Sequence, residues 1–289
     1  MATLQGFDMT ATINPAQQTR VRHLVWPREH GAWGMLFVPL ATGAAVGMMA
    51  GGNVAPVLLL IVASFALFAL RTPVESLWGT SVMKARTDEE RESVAWYVVI
   101  FATVALASVA GLFALGSGIG LLAIGVTAVA CFVTQLVIRQ AYPRARMVAQ
   151  VIGAAGLTST AAAAYYVATG HLDARALSLW AANWIFAGNQ IHFVQVRLHS
   201  ARLVSFRDKL RRGAGFFDGQ FVMAAALLIA WVAGVLPAIA LAAFAPVFVR
   251  GLWWFFNGPQ VLSVKRLGFT ELAHALAFGV LLIVAFRLG

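Results

Sequence analysis

The feature that most constrains this chain is a series of apolar runs, each long enough to cross a bilayer, separated by short polar breaks. A helix needs about 20 apolar residues to span the hydrocarbon core. Lipid accepts such segments because a helix satisfies every backbone group internally. The runs fall at 31–50, 54–77, 94–114, 118–138, 147–168, 174–196, 217–235, 237–257 and 267–287. The spacing predicts an all-α polytopic protein of nine transmembrane helices. Only 11% of the residues are charged, against about 25% in a soluble domain.

The breaks alternate between longer basic ones and short neutral ones such as Gly116-Ser117-Gly118. With nine spans, 19 of the 21 Lys and Arg residues fall on the side of the N-terminus, and only Arg175 and Arg287 on the other. Positive charge is retained on the cytoplasmic side. The expected orientation is therefore N-terminus in the cytoplasm and C-terminus outside, in a bacterial inner membrane. The same distribution explains the net charge of +10 as topology control, not nucleic-acid binding.

Residues 1–27 read as a cytoplasmic tail, unpatterned over 1–19, and 28–289 as one transmembrane domain. The first apolar run begins too late and runs too long for a signal peptide. Cys131 lies inside an apolar run and reads as a packing residue, leaving no cysteine-based metal site. Small residues such as Gly153 to Gly156 and Ala161 to Ala164 favour close helix packing in lipid. Trp33, Trp78, Trp96 and Trp254 fall near span ends, as interfacial tryptophan does.

Polar groups inside a membrane are costly and usually face a cavity or a partner. Here they share one depth. His30 and Trp33 open the first span, and Arg71 and Glu75 close the second. Asn189, Gln190, His192, Gln195 and Arg197 close the sixth, Asn257 and Gln260 end the eighth, and Glu271 and His274 begin the ninth. Such convergence predicts a cavity mouth on the cytoplasmic side. Plainer readings stand beside it. Arg71 and Arg197 fit snorkelling side chains. Arg71 and Glu75 fit a helical i,i+4 pair. Glu271 and His274, three apart, fit a metal pair or an acid–base pair. Asn189, His192 and Gln195 recur every third residue and predict a polar stripe on an otherwise apolar helix.

Three stretches resemble the UbiA superfamily of intramembrane prenyltransferases. Ala141-Tyr142-Pro143-Arg144-Ala145-Arg146 is similar to its Tyr-Pro-x-x-Lys-Arg loop. Trp184 through Asn189-Gln190-Ile191-His192-Phe193-Val194-Gln195 resembles its Trp…Asp-x-x-Tyr-Ala-x-Gln helix. Arg28 to Gly43, with Trp33 and Pro39, resembles its opening helix. A closer resemblance is to the YwiC-like membrane proteins, whose Pro-x-x-His-Gly-Ala-Trp opening is similar to Pro27-Arg28-Glu29-His30-Gly31-Ala32-Trp33.

The UbiA resemblance implies a nine-helix bundle that holds a prenyl diphosphate through magnesium on two Asp-rich motifs. The corresponding positions here keep one carboxylate, Glu75. Gly79, Val196, His199 and Ser200 stand where the others would be, and Asn189 replaces an Asp. Hard oxygen ligands for magnesium are thus largely missing.

The resulting expectation is a UbiA-like protein binding or transforming an isoprenoid or quinone-type lipid. His192, His30 and Glu75 are its candidate catalytic groups. Arg71, Arg144, Arg146, Asn189, Gln195, Arg197 and Trp33 are its candidate substrate contacts, and Asn257, Glu271 and His274 candidate cavity residues. Arginine forks bind phosphate or carboxylate without a metal. The alternatives are a transporter, a haem or metal protein using His30, His192, His274 and Glu271, and a non-catalytic scaffold.

Overall fold

The computed structural model describes residues 15–26, 30–79, 83–200, 203, 205–256 and 262–288, with the side chains of 15–19 and 30–32 outside that set. The described residues are helical, with no strand among them. Eleven α-helices run in chain order. They are α1 Pro15–Val25, α2 His30–Met49, α3 Val54–Trp78, α4 Asp88–Ala114, α5 Ile119–Ala141, α6 Arg146–Thr158, α7 Thr160–Thr169, α8 Ala174–His199, α9 Phe206–Val232, α10 Ala245–Phe256 and α11 Val264–Leu288. Short 3₁₀ segments at Pro143–Ala145 and Ala238–Phe244 lead into α6 and α10.

Among the described residues, seven segments are long and apolar enough to cross a membrane: α3, α4, α5, Pro143–Thr169, α9, Ala238–Phe256 and α11. The sequence reading expected nine. The remaining two runs are helical but differ in kind. The described apolar part of α2, Trp33–Met49, is short. In α8, Asn183, Asn189, Gln190, His192, Gln195 and Arg197 dilute the apolar character. Large apolar side chains face outward on the long helices, with Leu106 70% and Val126 67% exposed. Water penalises such a surface and lipid does not. The chain is an all-helical protein of membrane type.

Two compact units divide the chain. The first comprises residues 1–28 and 62–107. Part of the stretch read as an N-terminal tail, 1–27, is helical here: in α1, Leu24 and Val25 are buried with Ala85 and Val94. The Ser76 hydroxyl donates to the Leu24 carbonyl at 2.9 Å, and Trp26 meets Phe65 and Phe101 with ring centroids 6.1 and 6.2 Å apart. Glu90, in the first turn of α4, is buried. It takes the Arg20 guanidinium at 2.5 Å and the Arg86 backbone N–H at 2.8 Å. A carboxylate in a first helical turn also complements the helix dipole.

The second unit comprises residues 29–61 and 108–289. Its closest packing joins α2 to α7. A Cβ on Gly43 would stand 2.0 Å from the Ala161 carbonyl oxygen, and one on Gly47 2.7 Å from the Ala168 Cβ. Two glycines four residues apart on α2 against an alanine-rich α7 form the small-residue interface that lets backbones touch in lipid. Asn183 of α8 ties this pair to the core by donating to the Thr42 hydroxyl at 3.0 Å.

Two of the apolar segments are interrupted. Between α6 and α7 the hydroxyls of Thr158, Ser159 and Thr160 donate back to the carbonyls of Ala154, Gly156 and Leu157 at 2.7–2.8 Å. Such back-bonding competes with the helical ladder and breaks it at Ser159. Before α10 the break has a proline cause. Pro246 offers no N–H, and its ring clashes with a helical carbonyl four residues earlier, so the 3₁₀ segment ends and α10 starts at Ala245.

Candidate functional site

A buried polar network sits in the second unit, in the later half of α8, midway along α9 and α10 and in the first third of α11. Its centre is Arg250, on the otherwise apolar helix α10. The guanidinium Nη1 forms an ion pair with Glu271 Oε2 of α11. Nη2 donates to Asn189 Oδ1 of α8 at 3.1 Å. Asn189 passes the chain on, donating through Nδ2 to Gln220 Oε1 of α9 at 3.0 Å. Gln190 donates to the Glu271 backbone carbonyl at 2.8 Å and ties α8 to α11. Four helices thus contribute side chains to one network.

Depth follows from helix geometry. Arg250 lies six residues before the end of α10 and Glu271 seven after the start of α11. At 1.5 Å per residue the pair lies about 10 Å inside the helix ends. Both side chains are more than nine-tenths buried. An ion pair at such a position is stable only if its remaining lone pairs and protons are also satisfied. Here two are not: among the described residues, Arg250 Nε and Glu271 Oε1 are buried without a hydrogen-bond partner. The network is therefore incomplete at one donor and one acceptor, both on the central pair.

The walls are aromatic. Phe193 lies under the Arg250 guanidinium, 4.1 Å from ring centroid to Cζ. Phe193, Phe216, Trp254 and Phe255 form one buried cluster. Lys209 of α9 is buried against it, donates to the Trp254 carbonyl at 3.2 Å and lies over the Trp254 ring. Arg197, half-buried at the end of α8, lies within electrostatic reach of Glu271.

The residues singled out from sequence are distributed unevenly around this centre. Asn189 and Glu271 belong to it. His192 is half-buried beside it, edge-on to Phe216 with centroids 5.3 Å apart. Gln195 turns elsewhere and donates to Gln150 Oε1 of α6 at 3.3 Å. Residues three apart on a helix fall back by about 60°, so a stripe of three fans over about 120° and meets three different neighbours. His274 is half-buried, its Nδ1 against the Thr270 carbonyl of its own helix at 2.7 Å, while Glu271 turns to Arg250. Arg144 and Arg146 are exposed at the α5–α6 connection. Trp33 stacks on Phe37 of its own helix at 5.5 Å. In the first unit, Arg71 and Glu75 pair with each other at 2.8 Å on the exposed side of α3. Asn257, Gln260 and the His30 side chain lie outside the described residues.

Arg250 and Gln220 escaped the sequence reading as site residues, and Gln190 entered it only among the converging polar groups of the sixth span. Arg250 had been counted as one more cytoplasmic charge. Its signal was present: a lone cation with Val247, Phe248, Val249 before it and Leu252, Trp253, Trp254 after it belongs inside an apolar helix, where a charge implies a partner.

The donor set does not suit a magnesium cradle. Glu75, the one carboxylate left at the motif positions, is engaged by Arg71, and Asn189 is held between Arg250 and Gln220. Among the described residues no three His, Cys, Asp or Glu side chains gather as metal ligands would.

Fold and site together define an all-helical membrane-type protein with a buried, aromatic-walled Arg–Glu centre. Residues 26–165 match the model of the YwiC-like protein family, the family that the Pro27-to-Trp33 opening resembled. No curated protein and no solved structure matches the chain.

Proposed function

We propose that this protein is a nine-span protein of the bacterial inner membrane, N-terminus in the cytoplasm, that binds a lipid with an isoprenoid or quinone-type tail and a polar or anionic head. The head group lies at Arg250 and Glu271. The apolar tail runs between the helices beyond them. Where the lipid is also transformed, the chemistry is prenyl transfer without an Asp-rich magnesium cradle, with His192 beside the centre as the general acid or base.

One observation carries this reading: the central pair keeps a buried donor, Arg250 Nε, and a buried acceptor, Glu271 Oε1, without partners among the described residues. Unmet groups of this kind cost about 1–3 kcal/mol each, and a ligand that offers an acceptor and a donor recovers that cost. Arg197, half-buried at the end of α8 and within electrostatic reach of Glu271, adds positive charge on this side, which favours an anionic head. The aromatic wall supports an apolar, unsaturated chain. With Arg250 set aside as part of the buried centre, the 18-to-2 distribution of the other basic residues supports the orientation.

Lipid mass spectrometry of the gently purified protein tests this reading. An isoprenoid lipid should co-purify and be depleted in Arg250→Ala. Prenyl transfer that persists in excess chelator supports the metal-free chemistry. Protein that carries no isoprenoid under any mild extraction overturns the reading.

A transporter is the second reading, favoured by the two interrupted segments at Ser159 and at Pro246, since discontinuous helices mark many transport sites. Accumulation of a solute in proteoliposomes under an ion gradient, with no covalent product, would select it.

A further inference from the structure

We infer that the opposite end of the second unit holds a separate site for the phosphate of an anionic membrane lipid, gripped by Arg175 and Arg287. These are the two basic residues that stand against the charge distribution of the whole chain, alone among 21 in falling at the far ends of their helices under nine spans. A cation placed against the retention rule calls for a reason of its own. The structure brings the pair together. Arg175 opens α8, Arg287 closes α11, and both line one half-open cavity of about 660 Å³.

The rest of the lining is apolar: Val46 and Met49 from the end of α2, and Phe286 and Leu288 beside Arg287. Among the described residues no carboxylate lines the cavity. The nearest acid in sequence, Asp173, is engaged. Its Oδ1 accepts the backbone N–H groups of Arg175 and Ala176, and its Oδ2 accepts the Tyr165 hydroxyl at 3.2 Å. The two exposed guanidinium groups therefore open into one recess whose wall holds no acidic side chain among the described residues, with the Tyr165 hydroxyl that Asp173 accepts also within hydrogen-bonding reach of Arg175. Fork-shaped donors at the rim suit a phosphate, and apolar walls suit the first methylenes of acyl chains. A recess of several hundred cubic ångströms has the size of a small-molecule site. Its place at helix ends is the depth of lipid phosphates when the helices span. This site is independent of the Arg250–Glu271 centre, which occupies the other ends of α8 and α11.

Native mass spectrometry on the full chain in detergent micelles, titrated with phosphatidylglycerol and with phosphatidylcholine, tests the proposal. Phosphatidylglycerol should be retained more strongly, and Arg175→Gln/Arg287→Gln should weaken its retention about tenfold or more. Arg175→Lys/Arg287→Lys, which keeps charge but not the forks, should fall between. Melting curves confirm that the variants fold. Retention of phosphatidylglycerol unchanged in the folded Gln variant overturns the site. So does displacement of the lipid by millimolar inorganic phosphate, which would make the recess a free-anion site and not a lipid site.

Discussion

Arg250 and Glu271, 21 residues apart in the chain, form a buried ion pair across α10 and α11 that also collects Asn189 from α8. Its closure depends on both members. Removing one leaves the other charged and desolvated, whereas removing both leaves an apolar contact that the aromatic cluster can fill.

Arg250→Met or Glu271→Leu alone should therefore destabilise the folded protein by about 3–5 kcal/mol, and Arg250→Met/Glu271→Leu together by far less than their sum. Thermal unfolding in one detergent measures all four corners of the cycle. Additive losses would mean that the two side chains do not interact.

The α2–α7 contact gives a steric prediction. At Gly43 a Cβ would lie 2.0 Å from a backbone oxygen, which no rotamer change relieves, while at Gly268 on α11 it would meet nothing within 4 Å. Gly43→Ala should cost several kcal/mol or abolish folding, since overpacking against backbone costs about 1–3 kcal/mol even where side chains can give. Gly268→Ala should be neutral or stabilising by about 0.5–1 kcal/mol, because alanine is the better helix former. Yield and melting temperature of the two variants check this, and equal behaviour would count against the packing described.

The contrast between these elements shows where the sequence was legible. The long apolar runs announced α3, α5 and α11 because lipid burial demands about 20 unbroken residues and little else produces them. Asn189 and Glu271 were legible as site residues because polar groups in apolar helices need partners. Their partners were not. Arg250 reads the same in a loop or in a helix when only the charge is counted, and a pairing 21 residues distant leaves no local pattern. His274 shows the reverse error of proximity. It shares a face with Glu271 in sequence, yet its ring turns to the Thr270 carbonyl. The break at Ser159 was hidden because Thr158, Ser159 and Thr160 look like ordinary small residues until their hydroxyls choose carbonyls.

In the first unit, Glu90 ties α1 to the start of α4 by accepting Arg20 and the Arg86 backbone. Glu90→Ala removes both bonds and leaves Arg20 without its carboxylate. Trypsin should then cut after Arg20 and Arg22 several times faster than in the parent, since local opening exposes α1 before the whole protein unfolds. Digestion followed by mass spectrometry of the released N-terminal peptides reads the rate. An unchanged rate would show that Leu24 and Val25 hold α1 without the ion pair.

The span count has its own test, because Cys131 is the single cysteine and can be removed as Cys131→Ala. Single cysteines then report sidedness to a membrane-impermeant thiol reagent. With nine spans and the N-terminus inside, cysteines at Asn53, Leu115, His171 and Val235 should label from outside, and those at Met83, Tyr142, Ser205 and Ser263 only after the cells are opened. The seven segments that are unambiguously long and apolar omit α2 and α8. If those two helices do not cross, a chain with the same N-terminal side inverts the labelling at Asn53, Met83, Leu115, Tyr142 and His171 and keeps it from Ser205 onward. The two outcomes differ at five positions, so one mislabelled site cannot confuse them. Placement of α8 across the membrane then follows from the pair His171 and Ser205, which must fall on opposite sides.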